Sequence, residues 1–160
     1  MNDVSTPQPR GFIVDRQDGQ AQLPGSLHTN RRLSKWLAFD KSGFVQVFTG
    51  KVELGQGILT ALQLLAAEEL DMPLSAVHVC SANTERGPDE GMTSGSLSVQ
   101  DSGSALRQAC AEVRAMALLR AAALSGQPAH TITVREGRFR SAQGQDLPQI
   151  QTRLTHFLTN

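Results

Sequence analysis

The sequence has few cysteines and histidines, and those present show no metal-binding spacing. Cys80 and Cys110 are the two cysteines, and they match no CxxC, zinc-finger or iron–sulfur pattern. The four histidines are scattered, without an i, i+4 pair or an HExxH motif. We therefore interpret both cysteines as small apolar core residues, and we expect no metal ion bound directly by protein side chains.

Net charge and long apolar runs are also absent. The 15 basic and 15 acidic residues give a formal net charge of +0, so no long-range field would attract nucleic acid or an anionic membrane. No stretch approaches the roughly 20 apolar residues that span a bilayer, and residues 1–20 contain no apolar signal-peptide core. These absences predict a soluble, cytoplasmic chain with no nucleic-acid partner.

Common nucleotide-binding and hydrolase motifs are missing as well. Gly57 is followed by Ile58 and Leu59 rather than by the Lys-Ser/Thr of a Walker loop. A dinucleotide fingerprint requires glycine where Thr60 stands and an acidic residue at the end of the next strand. No serine lies in a GxSxG nucleophile elbow. Hydrolase chemistry is disfavoured, and a small nucleotide-binding α/β module remains as an alternative.

What is present is enough sequence for one compact domain. The chain has 160 residues, of which 39% are hydrophobic, and this length favours a single core. Residues 1–24 mix Pro, Gln, Asp, Gly and Ser, which is typical of a flexible lead-in. We place the domain at residues 25–148 and a divergent tail at residues 149–160.

The first half of the domain is predicted to contain a hairpin and a helix. Residues 33–39 and 44–49 are extended runs separated by a turn at residues 40–43. A helical apolar face then covers residues 58–70 and stops before Pro73. A short strand is expected at residues 77–80.

The second half is predicted to contain a long helix and a second hairpin. The helix is expected to start between Ser96 and Ser102, with Ser96 or Ser98 as its cap, and to end at Gly126. Glu136-Gly137 indicates a tight turn between two short strands. The order β, β, α, β, α, β, β predicts an α+β fold, a two-layer α/β sandwich with a mixed β-sheet packed by two main helices.

Two loops in front of the helices carry the candidate binding residues. In Gly50-Lys-Val-Glu-Leu-Gly-Gln-Gly57, Gly55 and Gly57 would let backbone amides approach a ligand, and Gln56 could donate and accept hydrogen bonds. In Met92-Thr-Ser-Gly-Ser-Leu-Ser98, four hydroxyls and one glycine precede the long helix and could surround a phosphate. Alternatively, either loop could be a purely structural turn or cap at the start of a helix.

These loops belong to an ordered series of motifs. The series is Thr49-Gly-Lys-Val-Glu-Leu-Gly-Gln-Gly-Ile-Leu-Thr60, then Ala67-Glu-Glu-Leu-Asp71, then Pro88-Asp-Glu-Gly-Met-Thr-Ser-Gly-Ser-Leu-Ser-Val-Gln-Asp-Ser-Gly103. It resembles the cofactor-binding subunit of xanthine-dehydrogenase-type molybdenum hydroxylases, and especially the large subunit of nicotinate or isoquinoline dehydrogenases. The resemblance covers about residues 23–147 and suggests an amino-terminal fragment of such a subunit.

The resemblance implies a cofactor and a set of residues that contact it. The family holds molybdenum through the dithiolene of molybdopterin, often as molybdopterin cytosine dinucleotide, and not through protein side chains. Gln56 matches the glutamine beside the metal, and Gly55 and Gly57 match the glycines that let the pterin approach. The segment that contacts the pterin or dinucleotide through hydroxyls and amides corresponds to Thr93, Ser94, Gly95, Ser96 and Ser98.

The same resemblance implies a reaction and partners. Family members hydroxylate N-heteroaromatic rings or aldehydes with oxygen from water, and they pass electrons to iron–sulfur clusters elsewhere. Their activating glutamate lies near the carboxyl terminus, so no residue here is nominated as catalytic. We expect a cofactor-binding domain that is inactive as an isolated chain and that joins an iron–sulfur subunit or forms a homodimer. The alternative is a non-catalytic remnant or partner domain that keeps the fold without binding molybdenum.

Overall fold

The structure is a computed structural model that describes residues 12–15, 20–40, 42–83 and 85–148. The predicted divergent tail, residues 149–160, lies outside the described residues, as does most of the predicted lead-in. The described parts of the lead-in pack on the domain. Val14 and Leu23 are buried, and the backbone N–H of Val14 donates to the carbonyl of Arg31 at 2.9 Å.

Three strands form a mixed sheet in the order β1-β2-β3. They are β1 Leu37–Phe39, β2 Val45–Thr49 and β3 Val77–Ser81. β1 and β2 pair antiparallel, whereas β2 and β3 pair parallel, as the connecting helix requires. Val45, Val47 and Val77 are fully buried in this sheet.

The first predicted strand is shorter than the sequence suggests. Leu33–Lys35 form a 3₁₀ turn, and only residues 37–39 pair with β2. The 3₁₀ period of three residues per turn places Leu33 and Trp36 on one side, and both are buried. The indole nitrogen of Trp36 also donates to the carbonyl of Asn30 at 2.8 Å. Burial of this tryptophan therefore outweighs the apparent alternation in the sequence.

Two main helices pack on one another, and the first also packs on β3. α1 spans Ile58–Leu70 and α2 spans Ser104–Ser125. α1 ends before Asp71, as predicted, and α2 ends at Gly126, which takes a left-handed φ of 69°. Their buried faces share one apolar core with the sheet. The predicted α+β class, with a mixed sheet and two main helices, is confirmed.

The start of α2 differs from the prediction. A π-helical segment, Ser98–Gly103, leads directly into α2. The residue before it is Leu97, and no side chain caps the segment. The prediction that Ser96 or Ser98 caps this helix is therefore wrong. Ser96 is unsuited to the role because its φ of 57° is left-handed, whereas a capping residue takes an extended backbone.

The last two strands form a separate hairpin rather than joining the main sheet. β4 Thr133–Arg135 and β5 Arg138–Arg140 pair antiparallel. The turn between them has left-handed backbone at Glu136 and Gly137, as predicted for a tight hairpin turn. A second apolar cluster, which includes Ala121, Val134 and Phe139, packs the hairpin on α2. Within the described residues, no helix is both long enough and apolar enough to cross a membrane.

Candidate functional site

The glycine-rich loop in front of α1 is closed by one of its own carboxylates. Glu53 Oε1 accepts the N–H groups of Gly55 at 2.9 Å and Gly57 at 2.8 Å, and Oε2 accepts that of Leu59 at 3.2 Å. Hydrogen bonds from the Gly57 and Leu59 amides hold the pKa of Glu53 below its usual range. Three of the amides at this helix end are thus already bonded to a carboxylate, and a second anion would meet that carboxylate. An anionic ligand is therefore not expected at this loop, although a glycine-rich loop in front of a helix is typical of an anion site.

Gln56 lies exposed at the outer side of the same loop. Its side-chain oxygen accepts the N–H of Leu54, and its Nε2 donates to the carbonyl of Val52 at 3.0 Å. One amide hydrogen and one lone pair of Gln56 remain for another partner. A Cβ added to Gly55 or Gly57 would meet no atom within 4 Å. The surface above these predicted cofactor residues is therefore open.

The hydroxyl-rich loop lies beside the glycine-rich loop. Thr93 is half-buried, and its Oγ1 accepts the backbone N–H of Val52 at 2.9 Å. Gly95 and Ser96 both take left-handed backbone, with φ of 64° and 57°. Within the described residues, the hydroxyls of Ser94 and Ser96 make no hydrogen bond, and both residues are exposed. These hydroxyls are available to a ligand.

The side chain of Lys51 also connects the two loops through hydrogen bonds. Its Nζ donates to the carbonyl of Glu90 at 2.8 Å and to that of Met92 at 3.3 Å. Only 2% of Lys51 is exposed, so this cation is held inside by carbonyl dipoles rather than by solvent. The structure therefore brings together the two loops that contain all eight residues predicted to bind the cofactor.

A buried carboxylate lies behind both loops. Glu90 Oε2 accepts the hydroxyl of Thr49 and the N–H of Gly50, each at 2.7 Å, and Oε1 accepts the hydroxyl of Ser26 at 2.8 Å. Thr49 Oγ1 also lies 3.2 Å from the hydroxyl of Ser102, which is fully buried in the π-helical segment. Sequence reasoning missed these residues, because a glutamate in a polar loop looks solvated and Ser26 lies 64 positions away.

A cleft of about 600 Å³ borders the same region. Its lining includes Asn30, Lys35, Asn83, Asp89 and Glu90. None of the residues predicted to bind the cofactor lines this cleft. Most of those residues are instead exposed in the two loops, and Thr93 and Ser98 are half-buried.

The two cysteines do not contribute to these loops. Both are free thiols, and Cys110 is completely buried in α2, as predicted for an apolar core residue. Burial, and secondarily the charge of Glu69, raise the pKa of the Cys110 thiol. Cys80 is half-buried in β3. Among the described residues, no three His, Cys, Asp or Glu side chains gather as a metal site.

Comparison with known proteins gives one family. A family model described as the molybdopterin cofactor-binding domain matches residues 18–156. A subunit of the nicotinate dehydrogenase of Pseudomonas putida is 37% identical over 117 residues, which are 73% of this chain and 10% of the relative. Aldehyde oxidase 2 of Mus musculus is 40% identical over 68 residues, which are 42% of this chain and 5% of the relative. The chain thus spans a tenth or less of the length of these relatives.

Solved structures have the same fold. Quinoline 2-oxidoreductase from Pseudomonas putida 86 superposes with a TM-score of 0.61 at 23% identity, over 72% of this chain and 15% of that chain. CO dehydrogenase from Oligotropha carboxidovorans superposes with a TM-score of 0.61 at 25% identity, over the same shares. The chain therefore belongs to the molybdopterin cofactor-binding domain family, as its resemblance to the molybdenum hydroxylases predicted.

Proposed function

We propose that the two adjacent loops, residues 50–57 and 92–98, hold molybdopterin for a molybdenum hydroxylase. The observation that carries this proposal is the hydrogen bond between Val52 and Thr93. This hydrogen bond joins two loops. The first has an open surface over Gly55 and Gly57, and the second bears the hydroxyls of Ser94 and Ser96, which bond to no group in the part of the chain that the structure describes.

The donor set fits a pterin better than it fits a bare metal ion. Amide groups and hydroxyls donate to and accept from ring nitrogens, ring oxygens and phosphate oxygens, whereas a metal held by protein side chains needs several Cys, His or carboxylate ligands. We assign the pterin edge to Gln56 and the glycines beside it. An anionic group, such as the diphosphate of a cytosine dinucleotide, would be placed at Ser94, Ser96 and Ser98, because Glu53 occupies the amides of the other loop.

The bound cofactor would supply the hydroxylation of an electron-poor carbon with oxygen from water. The names of the relatives, nicotinate dehydrogenase and aldehyde oxidase, support a substrate that is an N-heteroaromatic ring or an aldehyde. Gln56 would orient the reactive end of the cofactor through the amide hydrogen that it has left, and the serine hydroxyls would hold the distal end. An iron–sulfur subunit is the proposed electron acceptor.

We expect this chain to be inactive alone. Most of the proposed cofactor residues are exposed, so bound cofactor would remain in contact with water on its other side. Enclosure by a second protein surface, from a partner subunit or another copy of the chain, would exclude that water and complete the pocket.

The test is cofactor content in the complex that copurifies with the tagged chain. Molybdenum is measured by elemental analysis and pterin by fluorescence after oxidation, with molar mass from light scattering. We expect near-stoichiometric molybdenum and pterin in the wild-type complex, loss of both in Gln56→Ala, and retention in Gln108→Ala, which changes a glutamine on α2. A correctly folded wild-type complex without either component would overturn the proposal.

A further inference from the structure

We propose that Glu90 is a positioning residue that sets the placement of the two cofactor loops relative to each other. Its carboxylate connects both loops to the turn Gly25–His28. This inference rests on the proposed function, because that function identifies the ligand of the two loops as molybdopterin. The way in which they are held follows from contacts that are independent of any cofactor.

Ser26 in the Gly25–His28 turn and Asn30 just after it bind the chain at Asp89 and Glu90. Asn30 clamps the backbone of Asp89, since its Nδ2 donates to the Asp89 carbonyl at 2.7 Å and its Oδ1 accepts the Asp89 N–H at 3.0 Å. One residue further on, the Ser26 hydroxyl donates to Glu90 Oε1. The direction of the chain at Glu90 is thus set by two side chains that lie far from it in sequence.

The other side of the segment is held by the end of β2. The second carboxylate oxygen of Glu90 accepts both the Thr49 hydroxyl and the Gly50 N–H. A Cβ at Gly50 would lie 3.0 Å from the carbonyl oxygen of Pro88 and 3.2 Å from the Cβ of Glu90. Backbone and carboxylate therefore meet without intervening water, and a side chain at Gly50 would push them apart.

From this anchor the two loops run side by side in register. Gly50 contacts the Glu90 side chain, Lys51 contacts the carbonyls of Glu90 and Met92, and Val52 contacts Thr93. Three successive residues of the first loop are thus bonded to three nearby residues of the second. The N–H of Lys51 is also satisfied, by the Thr49 hydroxyl at 3.1 Å. Displacing Glu90 would shift the starting point of both loops.

The same network reaches the π-helical segment where the second loop ends. Thr49 links Glu90 to the buried hydroxyl of Ser102. The turn touches this segment directly as well, because a Cβ at Gly25 would overlap the carbonyl oxygen of Asp101. The second loop is therefore held at both ends by groups that connect to Glu90, while Ser94 and Ser96 between them stay exposed.

This arrangement differs from ordinary core packing. The partners of the Glu90 side chain are three hydrogen-bond donors, and removing the carboxylate would take away the acceptor that Ser26, Thr49 and Gly50 share and leave the buried Thr49 hydroxyl with Ser102 alone. The apolar core around α1 and α2 does not include Glu90. Loss of Glu90 should therefore loosen the loops locally before it affects the helices.

Hydrogen exchange followed by mass spectrometry on the full chain tests this directly. In Glu90→Ala we expect peptides covering residues 50–57 and 91–98 to exchange about tenfold faster, whereas peptides from α2 keep their wild-type rates. Glu90→Gln should restore the slow exchange, because its oxygen can accept from Thr49 and Gly50 while its amide donates to Ser26. Glu68→Ala, at an exposed position of α1, is the matched control and should exchange like wild type.

The proposal is overturned if both loops keep their wild-type rates in Glu90→Ala, or if α2 accelerates as much as the loops. Should Glu90→Ala fail to fold, Ser26→Ala removes only one of the three donors. It should give a smaller acceleration in the same two loops, and unchanged rates there would equally contradict the proposal.

Cofactor content separates this inference from the proposed function. In the copurified complex, Glu90→Ala should lose molybdopterin and Glu90→Gln should retain it. If Glu90→Ala loosens the loops but the wild-type complex contains no pterin, the positioning role stands and the proposed function fails. If the wild-type complex contains pterin and Glu90→Ala changes neither exchange nor content, the positioning role fails alone.

Discussion

The backbone N–H of Val52 donates to the Thr93 hydroxyl at 2.9 Å, across 41 positions of sequence. This contact joins the glycine-rich loop to the hydroxyl-rich loop at the point where both leave the buried network. Thr93 keeps its own hydroxyl proton for a further partner, so it can hold the loops together and still donate to a ligand.

Replacing Thr93 should separate the effect of its hydroxyl from that of its size. Thr93→Val leaves the Val52 N–H without an acceptor and should lower the free energy of unfolding by about 1 kcal/mol. Thr93→Ser keeps the hydroxyl and should lie closer to wild type. Urea unfolding monitored by circular dichroism measures the difference, and equal stability of the two variants would show that the hydrogen bond contributes nothing.

Glu53 should make the first loop sensitive to acid. Because folding lowers its pKa from the reference value of 4.5, its contribution to stability is complete above that value and is lost as the pH falls through it toward the folded pKa. Between neutral pH and about pH 3, wild type should therefore lose more stability than Glu53→Gln. The measurement is the urea midpoint of wild type and of Glu53→Gln at each pH, and an identical pH dependence of the two would contradict the prediction.

Gly25 should tolerate substitution much less well than another glycine with left-handed backbone. Gly25→Ala would combine a φ of 50° with a Cβ that overlaps the Asp101 carbonyl oxygen, and we expect a loss of about 3 kcal/mol or more. Gly144→Ala has a φ of 75° but no neighbour within 4 Å, so it should cost only about 1 kcal/mol. Thermal unfolding of both variants checks this, and similar costs would argue against close packing of the turn on the π-helical segment.

The Cys110 thiol should be inert in the folded protein. Burial raises its pKa, so the reactive thiolate is scarce, and the side chain has no exposed surface. In a Cys80→Ser variant, a thiol-reactive dye at about pH 8 should label almost no protein without denaturant and all of it in urea. Rapid labelling of the native variant would mean that α2 opens readily at this point.

The sequence predicted the elements whose signals are local. The helical spacing of apolar residues placed α1, Gly126 ended α2, and Glu136 with Gly137 formed the expected turn. The sequence was wrong in predicting that the first strand begins at Leu33 and that a serine caps α2. Burial of Leu33 and Trp36 decided the backbone conformation before β1, and such tertiary effects commonly override local preference. The serine cap did not form because Ser96 takes a left-handed φ of 57° and a π-helical segment begins at Ser98. The binding roles of the predicted cofactor residues remain predictions.

The amino-acid sequence by itself determined the order of helices and strands, the positions of the two loops and the family, because each depends on residue types at short spacing. Only the tertiary structure decided that Glu90 is buried among Ser26, Thr49 and Gly50. The Glu90 contacts join positions 40 to 64 residues apart. Their formation depends on how packing closes the intervening chain, which no local pattern encodes.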